Sequence, residues 1–413
     1  MSVTPAGPSA SVCPSPLSRP AEAMVSRSAS LNFTAAPLTA AAGNTEIAGD
    51  LMELPRMAAA SALYAAPCAA PWAPQGVRGP QGVRAPAPPQ PQVSFWLGQL
   101  KARLTRDVAL VQAGEVHGWC QSYLELPRTT APRGMALLLH GFSAGPWQYE
   151  NITEHLTGGG LAVYAPRLPG HGCLADGQPD SSALPGMGET SAYGRFAEAV
   201  YQEAKAQAQA LGAPLYVMGF SLGGALALDL ATRHPHSIKR LVVGAPLVRP
   251  QPLFGRLMYQ AAHLVAKLDR GREYLKRRLY IWAAELPDFF PRPAPGYSHF
   301  TTDKLYACLD YAHTLRKTLQ PPRMPVQLVV TEADRQCDPR AAQKLIARCA
   351  GPHHTYVVDR AFNVTHTDLA EVMPLGGPVH MTDVAVKFLT TGEGTTGHAK
   401  QAAFTPARGQ ICA

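Results

Sequence analysis

A serine flanked by glycines, where one kind of apolar run gives way to another, is the feature of this sequence richest in chemistry. Gly219-Phe220-Ser221-Leu222-Gly223 is a G-x-S-x-G pentapeptide. Before it, Leu215 to Met218 is a short β-branched and aromatic run that reads as a buried strand; after it, Ala225 to Thr232 reads as a buried helix. Glycines let the backbone turn sharply between the two without a Cβ clash, so the Ser221 hydroxyl is held at the top of a sheet. The helix N-terminus behind it favours developing negative charge. A hydroxyl so placed suits acyl transfer. The same five residues also suit a glycine-rich turn with an N-capping serine, so the remaining chain has to decide.

The elements that would position Ser221 follow a regular alternation. Strand-like runs are Val108–Gln112, Cys120–Leu126, Met135–His140, Leu161–Tyr164, Leu241–Val243, Val326–Val330 and Thr355–Val358. Helical patterns separate them at Trp147–Leu156, Ala192–Leu211, Thr302–Leu319, Ala341–Cys349 and Met381–Leu389, with a further apolar stripe over Val93–Leu104. Such alternation predicts an α/β fold with a mostly parallel sheet covered by helices on both faces. Its site belongs at the carboxyl ends of the strands.

Composition narrows the function classes. The 413 residues are 46% hydrophobic, enough for a large core, yet no uninterrupted apolar run reaches the ~18 residues of a membrane span. Eight scattered cysteines form no C-x-x-C pair, which reads against a zinc site or a disulfide framework and suits a reducing compartment. No H-E-x-x-H motif occurs, so no metal or other cofactor is expected. The net charge of +8 comes with no nucleic-acid motif, so nucleic acid is not an expected partner. Residues 1–92 hold no lysine, five arginines and four acids, are dominated by Ala, Pro and Ser, and end in a twice-repeated P-Q-G-V-R-G/A and a Pro-rich run. This reads as a disordered, transit-like segment with a stiff linker, implying an organelle, a chloroplast ahead of a mitochondrion.

Five motifs, in this order, carry a resemblance: Leu137-Leu-Leu-His-Gly-Phe142, Pro166-Arg-Leu-Pro-Gly-His-Gly172, the Ser221 pentapeptide, Thr331-Glu-Ala-Asp-Arg-Gln-Cys-Asp-Pro339 and Thr365-His-Thr367. From about Val108 to Thr390 the chain resembles the α/β-hydrolase superfamily, near its monoacylglycerol-lipase and bacterial carboxylesterase branch. One departure is Phe220, where many lipases carry histidine.

The resemblance implies a Ser-Asp-His triad. The loop after the strand ending at Val330 holds Glu332, Asp334 and Asp338; the family's strand-x-x-Asp pattern selects Asp334, with Asp338 as the alternative and better suited to capping the helix from Pro339. Chain order leaves His353, His354, His366, His380 and His398 as bases, and His366 follows a strand at the correct end of the sheet. Oxyanion-hole amides are expected at Leu222, after the nucleophile, and at Phe142, where the family match places the second donor. His140 and His171 are read as structural.

Residues 93–247 and 301–392 are thus expected to form the hydrolase core, 248–300 a helical cap, and 393–413 a disordered tail. Lys267, Arg270, Arg272, Lys276, Arg277 and Arg278 make the cap basic, with Tyr274, Tyr280, Trp282, Phe289 and Phe290 interleaved or following. A solvated helix face would look the same, but such a cap can also rest on an anionic membrane surface and admit a small lipophilic ester. The expected activity is a serine carboxyl-ester hydrolase acting through an acyl-enzyme. A plastid address would also suit a chlorophyllase-type enzyme, although Phe220 and Leu222 replace the usual histidine and arginine of that branch. A non-catalytic binding protein on the same fold is the third reading.

Overall fold

The computed structural model describes residues 91–129, 131–251, 254–277, 279–280, 297, 300–366, 369 and 381–399. Residues 1–90 of the segment expected to be disordered over 1–92, the aromatics Trp282, Phe289 and Phe290 of the expected cap, and residues 400–413 lie outside them, whereas Pro91 and Gln92 begin a helix.

Eight strands make one sheet: β1 (Tyr123–Glu125), β2 (Gly134–Leu139), β3 (Leu161–Ala165), β4 (Leu215–Phe220), β5 (Ile238–Gly244), β6 (Val326–Thr331), β7 (His353–Val358) and β8 (Gly397–Ala399). Their order is β1-β3-β2-β4-β5-β6-β7-β8. β1 runs antiparallel to β3, and every other neighbouring pair is parallel. Every residue of β2, β3, β4 and β6 is buried, as expected of strands with helices over both faces. On one face pack α1 (Pro91–Gln112), α3 (Ser191–Ala210), α4 (Leu222–Arg233), α7 (Thr302–Thr318) and α8 (Pro339–Ile346), through Leu100, Tyr201, Leu226, Ala312 and Ile346. On the other lie α2 (Glu150–Gly158) and α9 (Met381–Thr391), through Ile152, Leu156 and Phe388. This is the mostly parallel, doubly covered sheet expected from the alternation, and it fits the α/β-hydrolase fold that the motif resemblance implies.

Two expectations are corrected. Val108–Gln112 is not a strand but the last turn and a half of α1. No breaker separates it from Leu104, and the buried series Leu97, Leu100, Leu104, Asp107 continues at helical spacing. Nor is 393–413 disordered throughout, because Gly397–Ala399 pairs in parallel with Tyr356–Val358. The buried Gln327 explains the attachment. Its amide donates to the Thr395 carbonyl at 3.0 Å and accepts from the Thr395 N–H at 2.8 Å, fixing the approach of β8.

Between β5 and α7 stand two helices, α5 (Phe254–Val265) and α6 (Asp269–Arg277), and a two-residue pairing of Leu279–Tyr280 with Phe300–Thr301. Ala262 and Leu275 bury against Tyr306 of α7, and Tyr259 stacks on that ring while donating to Asp310 at 2.8 Å. These two helices, in the stretch where a cap is expected, are therefore footed on α7, a core helix.

α1 is held to the sheet by buried charges. Arg103 donates to Glu203, which also accepts from the Tyr164 hydroxyl at 2.6 Å. Asp107 takes Arg167 at 2.7 Å and both the N–H and hydroxyl of Ser122. Burial alone would raise the Asp107 carboxyl; Arg167 and Ser122 outweigh it and hold the group below its ordinary value. Asp107→Ala strands the Arg167 guanidinium in a site that is 9% exposed. The expected loss is about 3–5 kcal/mol of unfolding free energy, measurable by urea denaturation; a loss below about 1 kcal/mol would mean that solvent relieves Arg167.

Candidate active site

Backbone geometry at the end of β4 sets Ser221. Its φ of 54° and ψ of −117° put a non-glycine residue in a sparsely populated region, at a cost of about 1–3 kcal/mol. Its N–H bonds the Gly244 carbonyl at 3.0 Å, and its own carbonyl accepts from Ala225 and Leu247. The flanking glycines serve close approach: a Cβ on Gly219 would lie 2.1 Å from the Gly223 carbonyl oxygen, and one on Gly223 only 1.8 Å from that of Leu139. Ser221 makes no side-chain cap to α4, so the N-cap reading of the pentapeptide does not describe it.

The structure brings Asp334 and His366 together. Asp334 Oδ2 accepts from His366 Nδ1 at 2.7 Å, while Oδ1 accepts the N–H groups of Gln336 and Cys337 at 2.8 Å each. With its proton on Nδ1, the imidazole leaves Nε2 as its basic atom. The ring packs 4.9 Å from that of Phe220, the neighbour of Ser221, and both His366 and Asp334 are buried. Asp338 stands elsewhere: it caps α8 through the N–H groups of Arg340 and Ala341 and pairs with Arg249. Of the remaining histidines weighed as bases, His353 and His354 begin β7 at its opposite end, His398 lies on the edge strand β8, and His380 lies outside the described residues.

The loop after β2 passes directly against the elbow, since a Cβ on Gly141 would stand 3.3 Å from that of Ser221. Gln148 accepts the Gly141 N–H at 3.0 Å, and the Tyr149 hydroxyl holds the Leu139 carbonyl at 2.6 Å. Phe142 follows, its ring edge-on to Phe300 and His171. Leu222 opens α4, in the turn whose N–H groups have no carbonyl within the helix to meet.

His140 lies beneath this loop as a pin. Nδ1 donates to the Gly141 carbonyl at 2.9 Å and Nε2 accepts from the Leu168 N–H at 2.9 Å, so the ring is neutral and both nitrogens are used. Burial, reinforced by neighbouring His171, pushes its pKa well below the ordinary value. Burial likewise lowers His171 to about 4, and its Nε2 is without a hydrogen-bond partner.

Sequence reasoning missed Cys337. Its thiol interacts with the Ser221 hydroxyl, and burial followed by the Asp334 charge pushes it far above the ordinary thiol range. Among the described residues, the one grouping of potential metal ligands is Asp334, Cys337 and His366, with one ligand atom of each within 4.8 Å of the others. Asp334 and His366 already satisfy each other there. No sequence signal marks it: the chain turns back at this residue because the Asp334 carboxylate takes its N–H.

The comparisons with known proteins bear on this geometry. A family model described as serine aminopeptidase, S33 (Hydrolase_4) matches residues 130–366, more than half of the chain. The chain belongs to this α/β-hydrolase family. The matched stretch contains Phe142, the Ser221 elbow and Asp334, and it ends on His366. This S33-family chain is 38% identical over 107 residues to a pimeloyl-[acyl-carrier protein] methyl ester esterase of Aromatoleum aromaticum, covering 26% of its own length and 35% of the relative's. It is 25% identical over 254 residues to the monoglyceride lipase of Homo sapiens, covering 59% of itself and 80% of that protein. Among solved structures, the monoacylglycerol lipase of Paleococcus ferrophilus is similar, with 18% identity and a TM-score of 0.48 over 66% of this chain and all of that one.

The buried histidines predict acid lability. In the unfolded chain His171 protonates near 6.5, whereas folded it resists to about 4. Stability is thus complete above about pH 6.5 and falls as pH drops toward 4, where only the unfolded state gains the proton. Urea unfolding at pH 7 and pH 4.5 is expected to differ by roughly 2–3 kcal/mol from this group alone, and His171→Asn is expected to flatten that dependence.

Proposed function

We propose that this protein is a serine carboxyl-ester hydrolase for small lipophilic esters, working through an acyl-enzyme with Ser221, His366 and Asp334 as nucleophile, base and acid. The observation that carries this reading is the 2.7 Å Asp334–His366 bond, with the imidazole packed on Phe220 beside the strained Ser221 turn. The two relatives add chemistry: by name one is a methyl ester esterase and the other a monoglyceride lipase, and both names describe cleavage of a carboxylic ester.

His366 Nε2 takes the hydroxyl proton as Ser221 Oγ attacks the ester carbonyl, and Asp334 stabilises the imidazolium that forms. The amides of Phe142 and Leu222 receive the oxyanion. The alcohol leaves with the proton from His366, and water then repeats the sequence on the acyl-enzyme. The buried Cys337, held protonated, is a neutral neighbour to this exchange.

A lipophilic substrate is also supported by the cap surface. Leu257, Leu264 and Leu268 are 61–68% exposed; Leu257, the exposed Ala261 and Leu264 recur at spacings of four and three on one face of α5, and Leu268 follows in the turn between α5 and α6. Exposed Lys267 and Arg270 flank them, while Arg272 and Lys276 pair with Asp269 and Glu273. The apolar stripe therefore contributes more than the basic run emphasised by the sequence. We read this face as a contact for an anionic bilayer surface. No described helix is long and apolar enough to cross a membrane.

Ser221→Ala is expected to lower kcat for p-nitrophenyl esters by about 10⁴–10⁶-fold with an unchanged melting profile. Asp334→Asn is expected to cost about 10³–10⁴-fold, whereas Asp338→Asn is expected to cost about 1 kcal/mol of stability and little activity. Wild-type turnover by Ser221→Ala would overturn the reading. In flotation with phosphatidylcholine–phosphatidylglycerol vesicles, the wild type is expected to bind. Leu264→Asp with Leu268→Asp is expected to bind at least tenfold less with unchanged turnover of a soluble ester; negligible binding of the wild type would remove the membrane contact.

A further inference from the structure

Ser143, one residue beyond the proposed oxyanion donor Phe142, is in an unusual position. It is buried and its φ is 65°, a left-handed conformation in a residue that is not glycine. Its hydroxyl accepts the Tyr297 N–H at 3.1 Å and lies 3.4 Å from the Tyr297 carbonyl, to which it donates. Both partners are backbone groups from 154 residues further along the chain.

Tyr297 is itself fixed at its other end. Only 2% exposed, it donates its phenol to the Gly170 carbonyl at 2.6 Å and accepts the Cys173 N–H at 3.0 Å. Those groups belong to the Pro166–Gly172 loop and the residue after it, beyond β3. One residue thus joins the loop after β2 to the loop after β3. The surroundings hold Phe142 as well: its ring packs against Phe300 at 5.2 Å and His171 at 5.8 Å, and Leu184, Tyr297 and Phe300 bury together beside it. The Phe300 backbone in turn pairs with that of Tyr280.

We infer that Tyr297, acting through Ser143, is a positioning residue that sets the Phe142 amide toward the oxyanion and ties that donor to the returning stem of the cap. The physical reason is rigidity. A left-handed serine directly after a donor amide has a ready escape into ordinary φ, and its two hydroxyl bonds to Tyr297 oppose that escape. The phenol keeps Tyr297 from following. An oxyanion donor is useful only if it is aimed before the charge develops, so loosening the clamp costs transition-state binding more than substrate binding. This inference rests on the proposed acyl-transfer function, and its test separates the two.

Ser143→Gly removes the hydroxyl but tolerates the positive φ, so the variant is expected to fold; Tyr297→Phe keeps the ring and removes its hydroxyl. First, labelling of the wild type by a fluorophosphonate, mapped to Ser221, tests the nucleophile alone. With that established, each variant is expected to lose about 10- to 100-fold in kcat with KM for a soluble ester within about twofold. Affinity for an aryl trifluoromethyl ketone, which mimics the tetrahedral adduct, is expected to fall by the same factor as kcat/KM. Ser143→Ala, which keeps the strain and loses the hydroxyl, is expected to be no better than Ser143→Gly. If both variants turn over and bind the ketone as the wild type does, or lose only melting temperature, the clamp is merely structural and the inference is overturned. If the wild type is not labelled at Ser221, the acyl-transfer reading fails and this inference falls with it.

Discussion

The first turn of α4 is seated hard against the end of β2, with room for a hydrogen but not a carbon between Gly223 and the Leu139 carbonyl. Much else depends on that contact. It brings the chain out of β4 so steeply that Ser221 must take its strained angles, and it brings the loop after β2 into contact with the serine. A side chain at Gly223 would part the two segments, one at Gly219 would push α4 off the end of β4, and either way the backbone around Ser221 would shift. The strain is contained because the Ser221 peptide groups bond Gly244, Ala225 and Leu247, drawing on β5 and its following loop as well as on α4.

Around this point the chain distributes polar groups by role. Those that hold loops are saturated: His140 uses both ring nitrogens, Gln148 takes Gly141, and Tyr149 takes Leu139. Asp334 spends one oxygen on two backbone amides and keeps the other for His366. The carboxylate therefore arrives at the imidazole already oriented. Asp338, four residues later, has the same chemistry and a different task. Burial alone would raise its carboxyl, but Arg249 and the amides of α8 outweigh it and hold it below the ordinary value, on a helix end rather than a ring.

How much of this was legible depends on whether the information is local. The elbow, its strand and its helix lie within twenty residues and obey simple periodicities, so Ser221 could be read directly. The choice of Asp334 over Asp338 needed the family pattern, because both follow the same strand and only the loop's folding separates them. Val108–Gln112 misled because a short run of Val, Ala and Leu has no period of its own, and the buried Asp107 before it interrupts the apolar stripe at the place where Arg167 explains it. β8 was hidden for a similar reason. Gly-His-Ala has no strand propensity to speak of, and its attachment comes from the amide of Gln327, almost seventy residues earlier. Cys337 and the Ser143–Tyr297 pairing are contacts of tertiary origin, and no spacing rule announces them.

β8 has one further consequence. Without it, β7 would be the last strand, and its outer row of backbone donors and acceptors, backed by apolar Tyr356, Val357 and Val358, would face water as a template for another chain. Three residues with little apolar content close that row and present a histidine outward instead. Residues 397–399 thus serve as a guard on the sheet's margin, and that guard is moored by a glutamine in the middle of the core.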